Sequence, residues 1–145
     1  MVNHEKIRNK LKTIQISLEK LHQLKAKSED VFISDFTNTD TARHNLQIAI
    51  QAMLDISSHI ISRLRLEFPK SNVDAFSILS EHSIVSKDKL PEYQEMARFR
   101  NRLVHMYDDV DNRVIYEVLQ KHLGDYESFI KDIVQYLETK RNCDK

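Results

Sequence analysis

A chain of 145 residues with one glycine, two prolines and one cysteine has little punctuation for a set of short strands, and no means of forming an internal disulfide or a cysteine-based metal site. Its 22 basic and 22 acidic residues cancel, which excludes the overall basic character of a protein that coats nucleic acid and confines any RNA contact to a local patch. The length suits one domain, residues 1–145, with a core large enough to hold without metal or cross-link. The single thiol, Cys143, fits a reducing cytoplasm and carries no evident role. The basic N-terminus MVNHEKIRNKLK is not followed by the apolar stretch of a secretory signal, and no apolar run is long enough to cross a bilayer.

The first helix is expected from about Glu5 to Lys27, because Ile7, Leu11, Ile14, Leu18, Leu21 and Leu24 recur every three or four residues. Its Lys-rich stretch between Lys20 and Lys27 reads as the solvated side. A connector, SEDVFISDFTNTD, follows, held to the core by Val31, Phe32, Ile33 and Phe36. The second helix is expected to start at Asp40 or Thr41, either of which can cap it, and to run to Phe68, where Pro69 stops it. Its apolar face, from Ala42 through Leu46, Ile50, Met53, Ile56 and Ile60 to Leu64, is broad enough for a central helix with several neighbours.

A third helix spans Asp74 to His82, and Pro91 opens a fourth that runs from Glu92 to Met106 and buries Met96, Phe99, Leu103 and Val104. Asp111 caps a fifth, from Asn112 to Thr139. Gly124 lies inside it, weakening it and permitting another helix to approach closely. The sum is an all-α protein, an antiparallel bundle of four to five helices.

The segment RFRNRLVHMYDDVD, residues 98–111, concentrates the chemistry. Asn101 and His105 are four apart and share a helix face, whereas Arg100 lies about 140° around the axis from His105. A long arginine and an imidazole at a helix end can still converge. An imidazole exchanges protons near neutral pH, and a guanidinium grips a phosphate and steadies developing negative charge. With Asn101 to orient them, these are the minimum for cleaving RNA without a metal. Taken alone, Arg-x4-His in a helical protein more often marks a salt-bridging arginine and a histidine favoured by the helix dipole. Asp108 and Asp109 read as a solvated turn.

The run R-N-R-L-V-H-x-Y, followed by D-V-D and a long amphipathic helix, resembles the HepT-like branch of the HEPN superfamily, toxins of bacterial and archaeal toxin–antitoxin pairs. Arg100, Asn101, His105 and Tyr107 match the branch pattern position for position. Residues 46–61 (LQIAIQAMLDISSHII) and 74–90 (DAFSILSEHSIVSKDKL) are also similar, the first helix only weakly, and Met106 replaces a residue that is usually small.

The resemblance implies a dimerising helical bundle whose two motifs face each other in one cleft. It implies metal-independent endoribonuclease activity with no cofactor. Arg100 would hold the scissile phosphate, His105 would transfer protons and Asn101 would support the geometry. Arg98 and Arg102, doubled by symmetry, would bind RNA. Tyr107 would accept AMP from a minimal nucleotidyltransferase (MNT) antitoxin; without the resemblance, a packing or hydrogen-bonding tyrosine is the better reading. Asp55 and His59, four apart on the second helix, and Arg43 near its start are second-line candidates beside the cleft, with a plain surface hydrogen bond the simpler role for the pair. His4, His22, His44, His82 and His122 are scattered surface residues. The alternative function is a non-catalytic module that binds a nucleotide or serves as the partner of a nucleotidyltransferase, and a third reading makes the motif purely structural.

Overall fold

The computed structural model describes residues 2–105 and 110–143. Among them are seven α-helices: α1 (His4–Lys25), α2 (Glu29–Ser34), α3 (Phe36–Arg63), α4 (Asn72–Glu81), α5 (Leu90–Val104), α6 (Asn112–Lys121) and α7 (Leu123–Cys143), with one 3-10 turn at Lys87–Lys89. The all-α bundle expected from periodicity is the fold. No helix among the described residues is long and apolar enough to cross a membrane.

Helix α3 touches every other α-helix, which accounts for its broad apolar face. It runs antiparallel to α1: Asn3 meets His59, and Lys10 meets Asp55 seven residues later. All six residues of the α1 stripe are buried, as their spacing required. Helix α3 begins at Phe36, four residues before the expected start, because the Asp35 carboxylate accepts from the Thr37 N–H and caps the chain earlier than Asp40 does. Of the apolar residues in the connector, Phe32 is fully buried, but Val31 and Phe36 are exposed. Residues 29–34 form a helical turn that can direct only one side inward.

The other end of α3 also departs from expectation. It stops at Arg63, well before Pro69. Arg65 has a left-handed φ of 54°, the Leu66 N–H reaches back to the Ile61 carbonyl, and the Arg65 N–H bonds to that of Ser62. That is a Schellman stop, normally built on glycine. The same motif ends α4, with Ser83 at φ 58° and Ile84 N–H bonded to the Leu79 carbonyl. Each non-glycine residue in this region costs about 1–2 kcal/mol.

Helix α5 is anchored by aromatic packing. Tyr93 is fully buried, with its ring 6.0 Å from Phe76 and 5.6 Å from Phe129, the latter edge-on. Its hydroxyl donates to Asp132 at 2.7 Å, and Asp132 also accepts the Ser86 N–H. Burial and the Asp132 carboxylate push the Tyr93 hydroxyl well above the usual phenol range. The inward stripe of α5 is therefore Tyr93, Met96 and Ala97, with Phe99 and Leu103 half-buried and Val104 exposed, where the sequence reading buried Val104 and overlooked Tyr93.

The expected single helix from Asn112 to Thr139 is two helices, α6 and α7, which break at His122. Within α7, Val134 is exposed, while Phe129 is completely buried. Gly124 sits beside the break and admits no close neighbour: a Cβ there would meet nothing within 4 Å. Gly124→Ala is accordingly expected to stabilise the protein by about 0.5–1 kcal/mol, since it restricts only the unfolded chain. Phe129→Ala should cost about 3–5 kcal/mol through the cavity it leaves. Urea unfolding of the two variants checks both signs.

Candidate active site

Two turns of helix separate Tyr93 from Arg100, so the two share a face of α5. The stripe that packs Tyr93, Met96 and Ala97 inward thus carries Arg100 toward α3 instead of into solvent. There the Arg100 Nη2 donates to Gln51 Oε1 at 2.7 Å, and its Nη1 makes a long bond to Asn101 Oδ1 at 3.4 Å. Its Nε is buried and meets no acceptor among the described residues. Asn101 Oδ1 also accepts from Asn72 Nδ2 of α4 at 3.1 Å, which ties the site to a third helix.

The orientation of Gln51 follows from its two partners. Its Nε2 donates to Asp55 Oδ1 at 2.9 Å, and a carboxylate can only accept, while a guanidinium can only donate. The Gln51 oxygen must therefore face Arg100. Asp55 is held in turn by Lys10 at 3.0 Å. Both partners in that ion pair are more than a third exposed, so it adds less than about 1 kcal/mol and acts chiefly to orient Asp55. Neither Gln51, Asn72 nor Lys10 stands out from the sequence; the only signal is the Gln51–Asp55 spacing of four on α3.

His105 is the residue at which α5 ends. Its backbone turns extended (φ −76°, ψ 115°), its N–H closes the helix onto the Asn101 carbonyl at 3.1 Å, and its ring is exposed. Among the described residues the imidazole has no hydrogen-bond partner. Arg100 is thus held firmly by Gln51 and more weakly by Asn101, with His105 one turn beyond Asn101 and open to solvent. Tyr107, Met106, Asp108 and Asp109 lie outside the described residues.

On the far side of that segment, Val110 is buried and Asp111 caps α6 by accepting the Arg113 N–H, as expected from the sequence. Arg43 clamps this end, bonding the Val110 carbonyl and Asn112 Oδ1. Its place in the structure is therefore the return of the chain from the motif. Arg98 and Arg102 are exposed, and Arg98 pairs with Glu95 at 2.6 Å.

Asp55 and His59 have different partners, not one another: Asp55 holds Lys10 and Gln51, while the His59 Nε2 accepts the Asn3 N–H at 3.0 Å. A cavity of about 300 Å³ on another side of α5, lined by Met96, Phe99 and Tyr126 together with Glu92, Glu95 and Asp125, is apolar and acidic and unsuited to a phosphate.

With this geometry in hand, comparison with known proteins is decisive. The family model for Ribonuclease HepT-like proteins matches residues 14–133. The chain belongs to that family. It is 31% identical over 127 residues to the mRNA nuclease HepT of Shewanella oneidensis, covering 88% of this chain and 94% of that one. It is 30% identical over 133 residues to the tRNA nuclease HepT of Aphanizomenon flos-aquae, covering 92% and 90%. Among solved structures, the tri-AMPylated Shewanella oneidensis HEPN toxin in complex with MNT antitoxin superposes with a TM-score of 0.83 at 30% identity, over 92% of this chain and 99% of that one. The HepT-like resemblance read from the motif is therefore the family itself.

One prediction concerns His59. Burial, then the nearby Lys6 and Arg63, lower its pKa below the ordinary value of 6.5. The unfolded chain then takes up the proton first, so folded stability from this residue is complete above about pH 6.5 and is lost as pH falls toward the lowered value. Urea unfolding of wild type and His59→Gln at pH 8 and pH 5 should show a smaller acid loss in the variant, which keeps an acceptor for Asn3 but cannot titrate.

Proposed function

We propose that this protein is the toxin of a toxin–antitoxin pair: a cytoplasmic, homodimeric, single-domain endoribonuclease that cuts RNA without a metal and is silenced by a nucleotidyltransferase antitoxin. What carries the reading is the pairing of a guanidinium held in place, Arg100, with an exposed imidazole, His105, about one helical turn away, in a chain of the HepT-like family. Proton transfer needs that imidazole accessible, and its ring is exposed.

In the reaction, neutral His105 takes the proton from an RNA 2′-hydroxyl. That oxygen attacks the adjacent phosphorus, and Arg100 steadies the extra negative charge of the phosphorane. The bond from phosphorus to the 5′-oxygen breaks, the departing oxygen takes a proton, and the products are a 2′,3′-cyclic phosphate and a 5′-hydroxyl. In a symmetric cleft the second protomer supplies another imidazole as the acid. Asn101 keeps the Arg100 guanidinium in register through its side chain, and its carbonyl fixes the start of the His105 turn. Arg98 and Arg102, both exposed on α5, meet the flanking phosphates in this reading.

Tyr107 lies two residues beyond the imidazole. In the silencing step its phenol oxygen attacks the α-phosphorus of ATP on the antitoxin, pyrophosphate leaves, and an AMP group remains on the tyrosine. Its bulk and negative charge exclude RNA from the cleft.

Purified protein freed of antitoxin should cut RNA in EDTA and leave cyclic-phosphate ends. His105→Ala should lower the rate by about 10²–10⁴-fold, and Arg100→Gln by about 10²–10³-fold, without loss of helical content. Full cutting by His105→Ala would overturn the assignment. Incubation with ATP and the cognate nucleotidyltransferase should raise the intact mass by whole AMP units in wild type and not in Tyr107→Phe.

A further inference from the structure

An open groove of about 730 Å³ lies between the first half of α1 and the last half of α3. Lys6, Lys10, Arg63 and Arg65 line it together with Ser58, Ser62 and His59, and Asp55 is the one acid among its lining residues. In a chain with no net charge, four cations lining one groove, two from α1 and two from the end of α3, are a marked local excess. The groove is joined to the candidate active site, since Asp55 lines it and is linked through Gln51 to Arg100 by two hydrogen bonds. From Gln51 to Arg63, α3 rises about 18 Å, on the order of five stacked nucleotides at about 3.4 Å each.

Two further observations indicate that the groove is built for an anion. The first is the backbone of Arg65. Its left-handed φ of 54° is the position where a Schellman stop favours glycine, yet a long cation stands there and lines the groove. The second is His59, whose proton affinity is lowered first by burial and then by the nearby charges of Lys6 and Arg63, two cations that also line the groove.

We propose that this groove is a strand-binding subsite that takes the phosphodiester backbone of single-stranded RNA running away from Arg100. The inference rests on the ribonuclease reading and extends it. Such a site is sequence-tolerant: its cations meet phosphates, its serines offer hydroxyls to phosphate and ribose oxygens, and no aromatic residue lines it to stack on a base. It gives the enzyme affinity for a strand longer than the bond it cuts.

The test uses the full chain in a His105→Ala background and a fluorescent 2′-O-methyl dodecamer, which cannot be cleaved. Lys6→Gln with Arg63→Gln should weaken binding and reduce the slope of log affinity against log salt by roughly 1 to 1.5. The same loss of charge at Lys12 and Lys20, exposed on α1 outside the groove, should leave the slope unchanged. Arg65→Gly should raise the melting temperature while weakening the dodecamer, a split that a merely structural arginine would not produce. By NMR the His59 pKa should rise when the dodecamer binds. With His105 intact, the groove variants should raise KM for a dodecamer RNA more than for a trinucleotide.

Equal affinity and equal slope in wild type and the Lys6/Arg63 variant would overturn the proposal while leaving the nuclease intact. So would variants that keep RNA affinity and lose the antitoxin instead, which would make the groove a protein-docking surface. A wild-type protein that neither binds nor cuts RNA would overturn both readings.

Discussion

A guanidinium on the inward face of a helix has to find acceptors, because an ionised group taken out of water without partners costs several kcal/mol. Arg100 is such a group. It stands half-buried on the stripe that buries Tyr93, Met96 and Ala97, and its Nη atoms meet the oxygens of Gln51 and Asn101 there. This requirement ties α5 to α3 at Gln51. It also explains the polar pair Gln51 and Asp55 on the flank of the central helix, with Lys10 of α1 facing them. Each member fixes the orientation of the next, so a half-exposed ion pair of little energetic worth still decides which way an amide faces.

The aromatic cluster does complementary work. Tyr93, Phe76 and Phe129 clamp three helices together, and the Tyr93 hydroxyl is satisfied by Asp132. With α5 held rigidly at that point, Arg100 is presented two turns away from a fixed base, while the helix releases His105 at its very end. Precision at the cation and accessibility at the imidazole follow from their positions along one helix. Arg43 then holds the chain where it returns at Val110, so both flanks of the Tyr107 segment are fixed to the bundle.

Where the sequence reading erred, the causes are local hydrogen bonds that periodicity does not register. Asp35 captured the start of α3 ahead of Asp40, and two Schellman stops formed on Arg65 and Ser83 in a chain whose lone glycine stands elsewhere. Leu119, Leu123 and Tyr126 keep a helical rhythm through residue 122, which hides the break between α6 and α7. The spacing of Tyr93, Ala97 and Arg100 was present to be read and would have placed the arginine inward. An arginine in that slot is easily taken for a surface residue, because the stripe shows only when charged positions are counted with apolar ones.

The sequence by itself determined the helical class, the buried stripe of α1, the centrality of α3 and, through Arg100, Asn101, His105 and Tyr107, the family. These depend on residue order over one or two turns, which a linear chain displays directly. Only the tertiary structure decided that Gln51, Asp55, Lys10 and Asn72 converge around Arg100, and that Lys6 and Arg63 share one groove. Those residues are brought together by the antiparallel packing of α1 on α3 and of α4 on α5. Contacts of that kind join positions dozens of residues apart, and no local period encodes them.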